Sequence, residues 1–342
     1  MKKRESNIEL LRIVCIMGVI MNHYAFHTAW IGLKGINLNI IRVLGMGGRL
    51  GINIFLLIAG YFGITSATDT RKKIIKLWKE RWLYSMFISA IMVFLGYQIL
   101  NLDYVLKAVF PIITCRHNYV TTFIMLYVFI PYINKGINAL SQEEMKKMLL
   151  IWTVIISVIP TILTLRQGLY SNNVYSYLMW MAYMYCVGAY IRKYGLGEKI
   201  SYGLLSLVMM VVMIVMAVYV EPNSDVIPNG YNGNTPQSFL LLLTSVFVFC
   251  FFANAKVKYN KVINWFASST FAILLIHDDP IVRQVLWNKW LNCASHSQSN
   301  KFIIWTIMIA LFVYVSCVII DKVVKLLIHC LKRMMRFVYE KN

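Results

Sequence analysis

Charge is what this sequence has least of. Asp, Glu, Lys and Arg supply 14% of its 342 residues while apolar residues supply 59%; a soluble globular chain carries roughly 25% charged residues. That shortage excludes a single soluble domain, because so much apolar surface cannot be hidden in one core. A lipid-facing surface is the natural alternative. Paired Cys/His zinc spacings and aromatic-basic strands are also missing, so the formal charge of +20 does not mark a nucleic-acid binder. The seven cysteines, Cys15, Cys115, Cys186, Cys250, Cys293, Cys317 and Cys330, form no CxxC and no metal-ligand spacing. They read as small apolar residues in helices, with a Cys115–Cys293 disulfide as the alternative for the two that would face outside. No internal repeat is visible, which argues against a transporter built from inverted halves.

What is present is a succession of apolar runs. They fall at Ile8–Trp30, Gly45–Ile64, Trp82–Leu100, Tyr119–Ile133, Leu149–Leu165, Tyr175–Ile191, Tyr202–Val220, Phe239–Phe252, Trp265–Trp287 and Phe302–Ile320. Each is long enough, or nearly so, to cross roughly 30 Å of hydrocarbon. The expected fold is all-α, a polytopic transmembrane helical bundle of about ten helices. Residues 1–320 would form the transmembrane domain. Residues 321–342, basic and apolar at helical spacing, would form a cytoplasmic tail on the inner membrane surface.

The basic residues set the orientation. With the N-terminus inside, the inner segments hold Lys2, Lys3, Arg4, the cluster Arg71, Lys72, Lys73, Lys76, Lys79 and Arg81, and most of the later lysines and arginines. The outer segments hold only Lys34, Arg42, Arg49, Lys107, Arg116, Arg166, Lys289 and Lys301. That is about threefold fewer, as the positive-inside rule requires, and both termini are expected in the cytoplasm. Arg12 inside the first apolar run, with no small-residue cleavage site after it, argues for a retained first helix rather than a signal peptide. The polar loop Glu221–Gln237 would lie outside, either touching a substrate or simply joining two helices.

Ionisable residues within spans are costly and default to functional candidates. The first helix holds Glu9, Arg12, His23 and His27. Eleven residues separate Arg12 from His23, which returns to within about 20° of the same helix face, about 16 Å further along. One stripe therefore carries a cation at the inner edge and an imidazole near mid-membrane. Glu9, three residues before Arg12, can orient it as an ion pair. The plainer readings are a snorkelling Arg12 and a His23 that hydrogen-bonds a neighbouring helix. His23 and His27 have the i,i+4 spacing of a metal pair, but no acidic third ligand is evident, so no metal is expected. In the ninth run, His277-Asp278-Asp279-Pro280 brings a second histidine to a similar depth with a carboxylate pair. It reads as proton-handling groups or as a proline kink whose freed carbonyls need partners. The glycines Gly45, Gly47, Gly48 and Gly51 read as close helix packing.

These residues resemble a known family. Asn7-Ile8-Glu9-Leu10-Leu11-Arg12, ten residues and then His23 looks like the Arg-x10-His first-helix motif of the acyltransferase-3 family of integral-membrane acyltransferases. Gly51 to Tyr61 is similar to the family's second-helix pattern, with Leu56 in place of its second Phe and Ala59 in place of its Ser. Arg71–Arg81 sits where the family has a basic cytoplasmic loop. Tyr127–Pro131 and Phe271–Pro280 resemble its fourth and late helices. The resemblance implies transfer of an acyl group, usually acetyl from cytoplasmic acetyl-CoA, to a hydroxyl of an extracytoplasmic glycan or glycolipid at a bacterial plasma membrane. It implies His23 as general base or acyl carrier and His277 as the late-helix histidine; Asp278 and Glu9, the partner of Arg12, join them as catalytic candidates. Arg12, Arg71, Lys73 and Arg81 would hold CoA phosphates, although a solvated loop explains the Arg71–Arg81 charges equally well. The expected partners are the lipid bilayer, acyl-CoA and the acceptor. A polysaccharide polymerase or flippase and a proton-coupled transporter are the rival readings.

Overall fold

The structure, a computed structural model, describes residues 4–66, 69–164, 177–197, 200–223, 235 and 237–339. Among these residues every regular element is a helix. Six helices are long and apolar enough to cross a membrane: Ser6–His27, Gly35–Gly63, Asn118–Ala139, Gln142–Ile162, Tyr202–Asn223 and Phe302–Met334. Phe239–Asn254 and Lys261–His277 are apolar but shorter. The loop Glu221–Gln237 lies mostly outside the described residues, as do Lys2, Lys3, Arg166, Lys199 and Lys341.

Two helices at the start of the chain set the frame. α1 (Ser6–His27) and α2 (Gly35–Gly63) cross with almost no side chain between them. A Cβ placed on Gly47 would lie 2.8 Å from the carbonyl oxygen of Gly18, and one on Gly18 would lie 3.0 Å from that of Gly47. The glycines are thus packing surfaces, as small residues in apolar helices usually are. α2 begins ten residues before its apolar run, because Ile36, Leu38, Ile40 and Ile41 continue the helix past polar Asn37, Asn39 and Arg42.

α3 (Thr70–Phe94) corrects an expectation. Arg71–Arg81 is not a loop but the first three turns of this helix, capped by the Asp69 side chain on the Arg71 amide at 2.9 Å. Lys, Arg, Ile and Leu are all tolerated in a helix, and the buried positions Arg81, Tyr84, Ser85, Ile88, Ser89 and Met92 recur at three- and four-residue spacing. Hydropathy alone starts the span at Trp82 because exposed Arg71, Lys72, Lys76 and Lys79 make the first turns of the helix polar.

The chain continues through α4 (Leu102–Val109), α5 (Asn118–Ala139), α6 (Gln142–Thr153) and α7 (Ile159–Thr164), with a π-turn joining the last two. α8 (Tyr177–Tyr194), α9 (Tyr202–Val215) and α10 (Phe239–Asn254) follow. The ninth apolar run is broken into α11 (Lys261–Ala267), α12 (Thr270–His277) and α13 (Pro280–Val285). α14 (Phe302–Tyr339) is a single helix across the boundary at residue 320. It buries Thr306, Ala310, Val313, Cys317 and Asp321 while Ile304, Met308, Leu311, Phe312 and Ile319 face outward, the pattern of a helix with one face on protein and one on lipid.

Two apolar cores flank α1. One joins Ile16, Val19, Ile20 and Tyr24 of α1 to α3, α12 and α14. The other joins Ile8, Leu11 and Cys15 to α2, α5, α8 and α10. α1 therefore presents different faces to two halves of the bundle, and its polar residues fall on the seam between them.

Candidate active site

Cavities lie at both ends of that seam. The smaller, of about 200 Å³, is lined by Arg12, Lys73, Ser66, Tyr127 and Asn134 among others. We call this the basic end of the bundle. Arg12 Nε lies 3.7 Å from Glu9 Oε1, and Arg4 Nη1 lies 3.6 Å from Glu9 Oε2, so the expected Glu9–Arg12 pair is formed. Lys73 Nζ donates to Ser66 Oγ at 2.8 Å. Arg71 is exposed at the start of α3, and Arg81 is 0% exposed. Neither lines this cavity. Arg81 points into the bundle, and among the described residues its three guanidinium nitrogens have no hydrogen-bond partner.

The larger cavity, of about 1020 Å³, is lined by His23, His27, Asp278, Arg283, Arg116 and His117 together with residues of α2, α5 and α8. His23 and His277 do meet: His23 Nδ1 lies 3.0 Å from His277 Nε2. His277 Nδ1 lies 2.6 Å from the Ile273 carbonyl oxygen. A carbonyl only accepts, so His277 must carry its proton on Nδ1 and leave Nε2 as an acceptor. His23 then donates from Nδ1, and its Nε2 is the lone-pair nitrogen left for the cavity. Asp278 Oδ1, 3.5 Å from the same Nδ1, offers negative charge to an imidazolium formed at His23. This is the arrangement by which a carboxylate orients and stabilises a histidine base.

Asp278 is itself held from two sides. Arg283 Nη1 lies 3.4 Å from Oδ1, and His117 Nδ1 lies 3.6 Å from Oδ2. Its position comes from a break in the helix. Asp278 ends α12, and Asp279 caps α13 by accepting from the Ile281 amide at 3.2 Å, with Pro280 in the first helical position. The kink and the proton-handling reading therefore describe one feature, because the break turns two adjacent carboxylates in different directions. Asp279, 0% exposed, receives Arg116 Nε at 3.0 Å and Nη2 at 3.1 Å, and Arg116 Nη1 donates to Ser89 Oγ at 2.6 Å. That bidentate pair ties α5, α3 and the break together.

The sequence alone did not single out Arg116, His117 or Arg283. Arg116 and His117 carried one signal, a basic pair next to a span in a segment poor in basic residues. Arg116 and Asp279 are 163 positions apart, so nothing local joins them. Between the two cavities runs a file of aromatic rings on one face of α5. Tyr119 lines the large cavity and Tyr127 the small one. Phe123 stacks on Tyr119 at 5.9 Å and meets Tyr127 edge-on at 5.1 Å.

His23, His27 and Asp278 offer ligand atoms within 4.8 Å of one another. Near the histidine pair in sequence no acidic third ligand is evident; Asp278 is one, brought from 251 residues away by the packing of α12 on α1.

The described residues thus form a helical bundle with membrane-length apolar helices and a histidine–carboxylate pair lining a cavity. A family model described as an acyltransferase domain matches residues 5–321. The chain belongs to this acyltransferase-3 family, and it is a membrane acyltransferase. No curated protein and no solved structure matches it.

Proposed function

We propose that the chain is an O-acyltransferase of a bacterial plasma membrane that moves an acyl group, acetyl in our reading, from cytoplasmic acyl-CoA to a hydroxyl of a glycan or glycolipid on the outer side. The observation that carries the reading is the placement of His23: its Nδ1 lies against His277 Nε2 and Asp278 Oδ1, which leaves Nε2 to accept a proton in the large cavity. The acceptor oxygen attacks the thioester carbonyl while His23 Nε2 takes its proton. The new C–O bond forms, the C–S bond breaks, and the departing thiolate recovers the proton. General-base help of this kind is worth about 10²–10⁴ in rate. His23 and Arg12 stand about 16 Å apart along α1, comparable with the reach of an extended pantetheine arm.

In this reading the basic end faces the cytoplasm, both termini lie there, and about ten helical segments cross the bilayer, the short and broken ones included. The tail beyond residue 320 lies against the inner leaflet. Reporter fusions after Val220 should then report an external position and fusions after Lys261 an internal one. The reverse at both points would invert the orientation.

The donor phosphates belong at the small cavity, on Arg12 and Lys73 rather than on Arg81. Lys73→Ala is expected to raise the donor KM about tenfold, equal to ~1.4 kcal/mol of binding, with kcat less affected, as for lost uniform binding. Arg12→Lys should also be impaired, because an ammonium lacks the planar fork. Steady-state kinetics at varied donor concentration would detect either change; an unaltered donor KM in both variants would remove this cavity from donor binding.

The His23, His27 and Asp278 groups could take a divalent cation, but Arg283 already brings positive charge to that carboxylate at 3.4 Å. We therefore assign His23 and Asp278 to proton transfer. The test of the whole reading is mass analysis of surface glycans from cells with and without the protein. A glycan that loses acetyl groups with the protein supports it; an acetylation pattern that is the same in both sinks it.

A further inference from the structure

The large cavity holds a cation that the proton-transfer chemistry does not use. Arg49 lies on α2, four residues past the start of its apolar run at Gly45, and lines the cavity. An arginine within an apolar run calls for a counter-charge or a function. The other two arginines of the cavity have carboxylates: Arg116 is paired with Asp279 and Arg283 with Asp278. Among the described residues, no carboxylate lies within ion-pair distance of Arg49. Its neighbour is a phenol, the Tyr177 hydroxyl of α8.

It reaches the cavity from a different helix than the reacting groups: Arg49 is on α2, His23 on α1 and Asp278 at the end of α12. α8 also contributes Trp180 to the lining, and its indole nitrogen donates to Asn53 Oδ1 at 2.9 Å. A guanidinium and aromatic rings in the same cavity as a histidine base fit a sugar-bearing ligand that carries an anionic group as well as a reacting hydroxyl.

We infer that the acceptor is an anionic glycan, and that Arg49 holds its phosphodiester or carboxylate while a hydroxyl elsewhere on the chain meets His23. The guanidinium fork matches either oxyanion with two parallel hydrogen bonds. Arg49 is thus a specificity-determining residue for the acceptor, and the inference rests on the acyltransferase reading given above.

The test uses the full-length protein in detergent or vesicles with three acceptors of similar length: a glycerol-phosphate oligomer, a uronic-acid oligosaccharide and a neutral oligosaccharide. The wild type is expected to favour at least one anionic acceptor over the neutral one by tenfold or more in kcat/KM, on the order of ~1.4 kcal/mol. The preferred anion then tells phosphate from carboxylate. Arg49→Gln should collapse that ratio through the acceptor KM, and Arg49→Lys should keep part of it. A ratio that is unchanged in Arg49→Gln, or a wild type without preference, would overturn the inference. Equilibrium dialysis with labelled glycerol phosphate gives a second readout independent of turnover. Binding to the wild type that Arg49→Gln abolishes supports the anion site even if no acceptor is acylated, whereas absence of acyl transfer to all three with the donor bound counts against the enzymatic reading instead. Equal binding to both proteins overturns the Arg49 assignment.

Discussion

His23→Gln should lose acyl transfer, by a factor of about 10³ or more, while the protein inserts and accumulates as the wild type does. A glutamine side chain can still donate to His277 Nε2, so the packing around α1 survives. It cannot take up a proton at neutral pH, so the acceptor hydroxyl loses its base. His23→Ala should fail as well, and His27→Ala, which removes a ring 5.3 Å from His23, serves as the neighbour control and should retain most of the activity. The measurement is transfer per mole of folded membrane protein. Near-normal specific activity in His23→Gln would mean that His23 is a structural hydrogen-bonding residue, and His277 would become the better candidate.

The second large effect is expected at the helix break, where two adjacent carboxylates should behave differently. Asp278→Asn keeps the shape but exchanges an acceptor for a group that can also donate. An amide nitrogen aimed at His23 Nδ1 would force that atom to accept, moving the ring proton to Nε2, where it blocks the base. It would also leave an imidazolium without its counter-charge. We expect kcat to fall by about 10²–10⁴, the scale of general-base catalysis itself, with modest changes in either KM. Asp279→Asn should instead reduce the amount of folded protein. Its carboxylate is the buried partner of Arg116, and removing one member of a buried pair costs about 3–5 kcal/mol. Thermal unfolding and turnover, measured together on both variants, would separate the two roles. If Asp278→Asn lost stability and Asp279→Asn lost only turnover, the assignment of the two residues would have to be exchanged.

Much of this was legible in the chain. The apolar runs predict the helices to within a few residues wherever the buried face is apolar, as in Tyr202–Val220 and Phe239–Phe252. The Arg12–His23 stripe follows from helical periodicity on one element, and its two ends do line different cavities. Misreadings occurred where a helix is polar. α3 begins twelve residues before its apolar run, because exposed Arg71, Lys72, Lys76 and Lys79 make its first turns polar, and hydropathy does not register that Arg81 is buried in it.

Composition, period and charge bias were sufficient for the helical class, the membrane habit and the placing of His23 on the face of Arg12, because each depends on residues close together in sequence. The site as a working constellation was decided only by tertiary packing. Which nitrogen of His23 is free depends on His277, 254 positions away, and on a main-chain carbonyl at Ile273. Which of two neighbouring aspartates serves the histidine depends on a helix break pinned by Arg116, from the bend that leads into α5. Those are relations between elements, and helical periodicity carries no information about which faces meet.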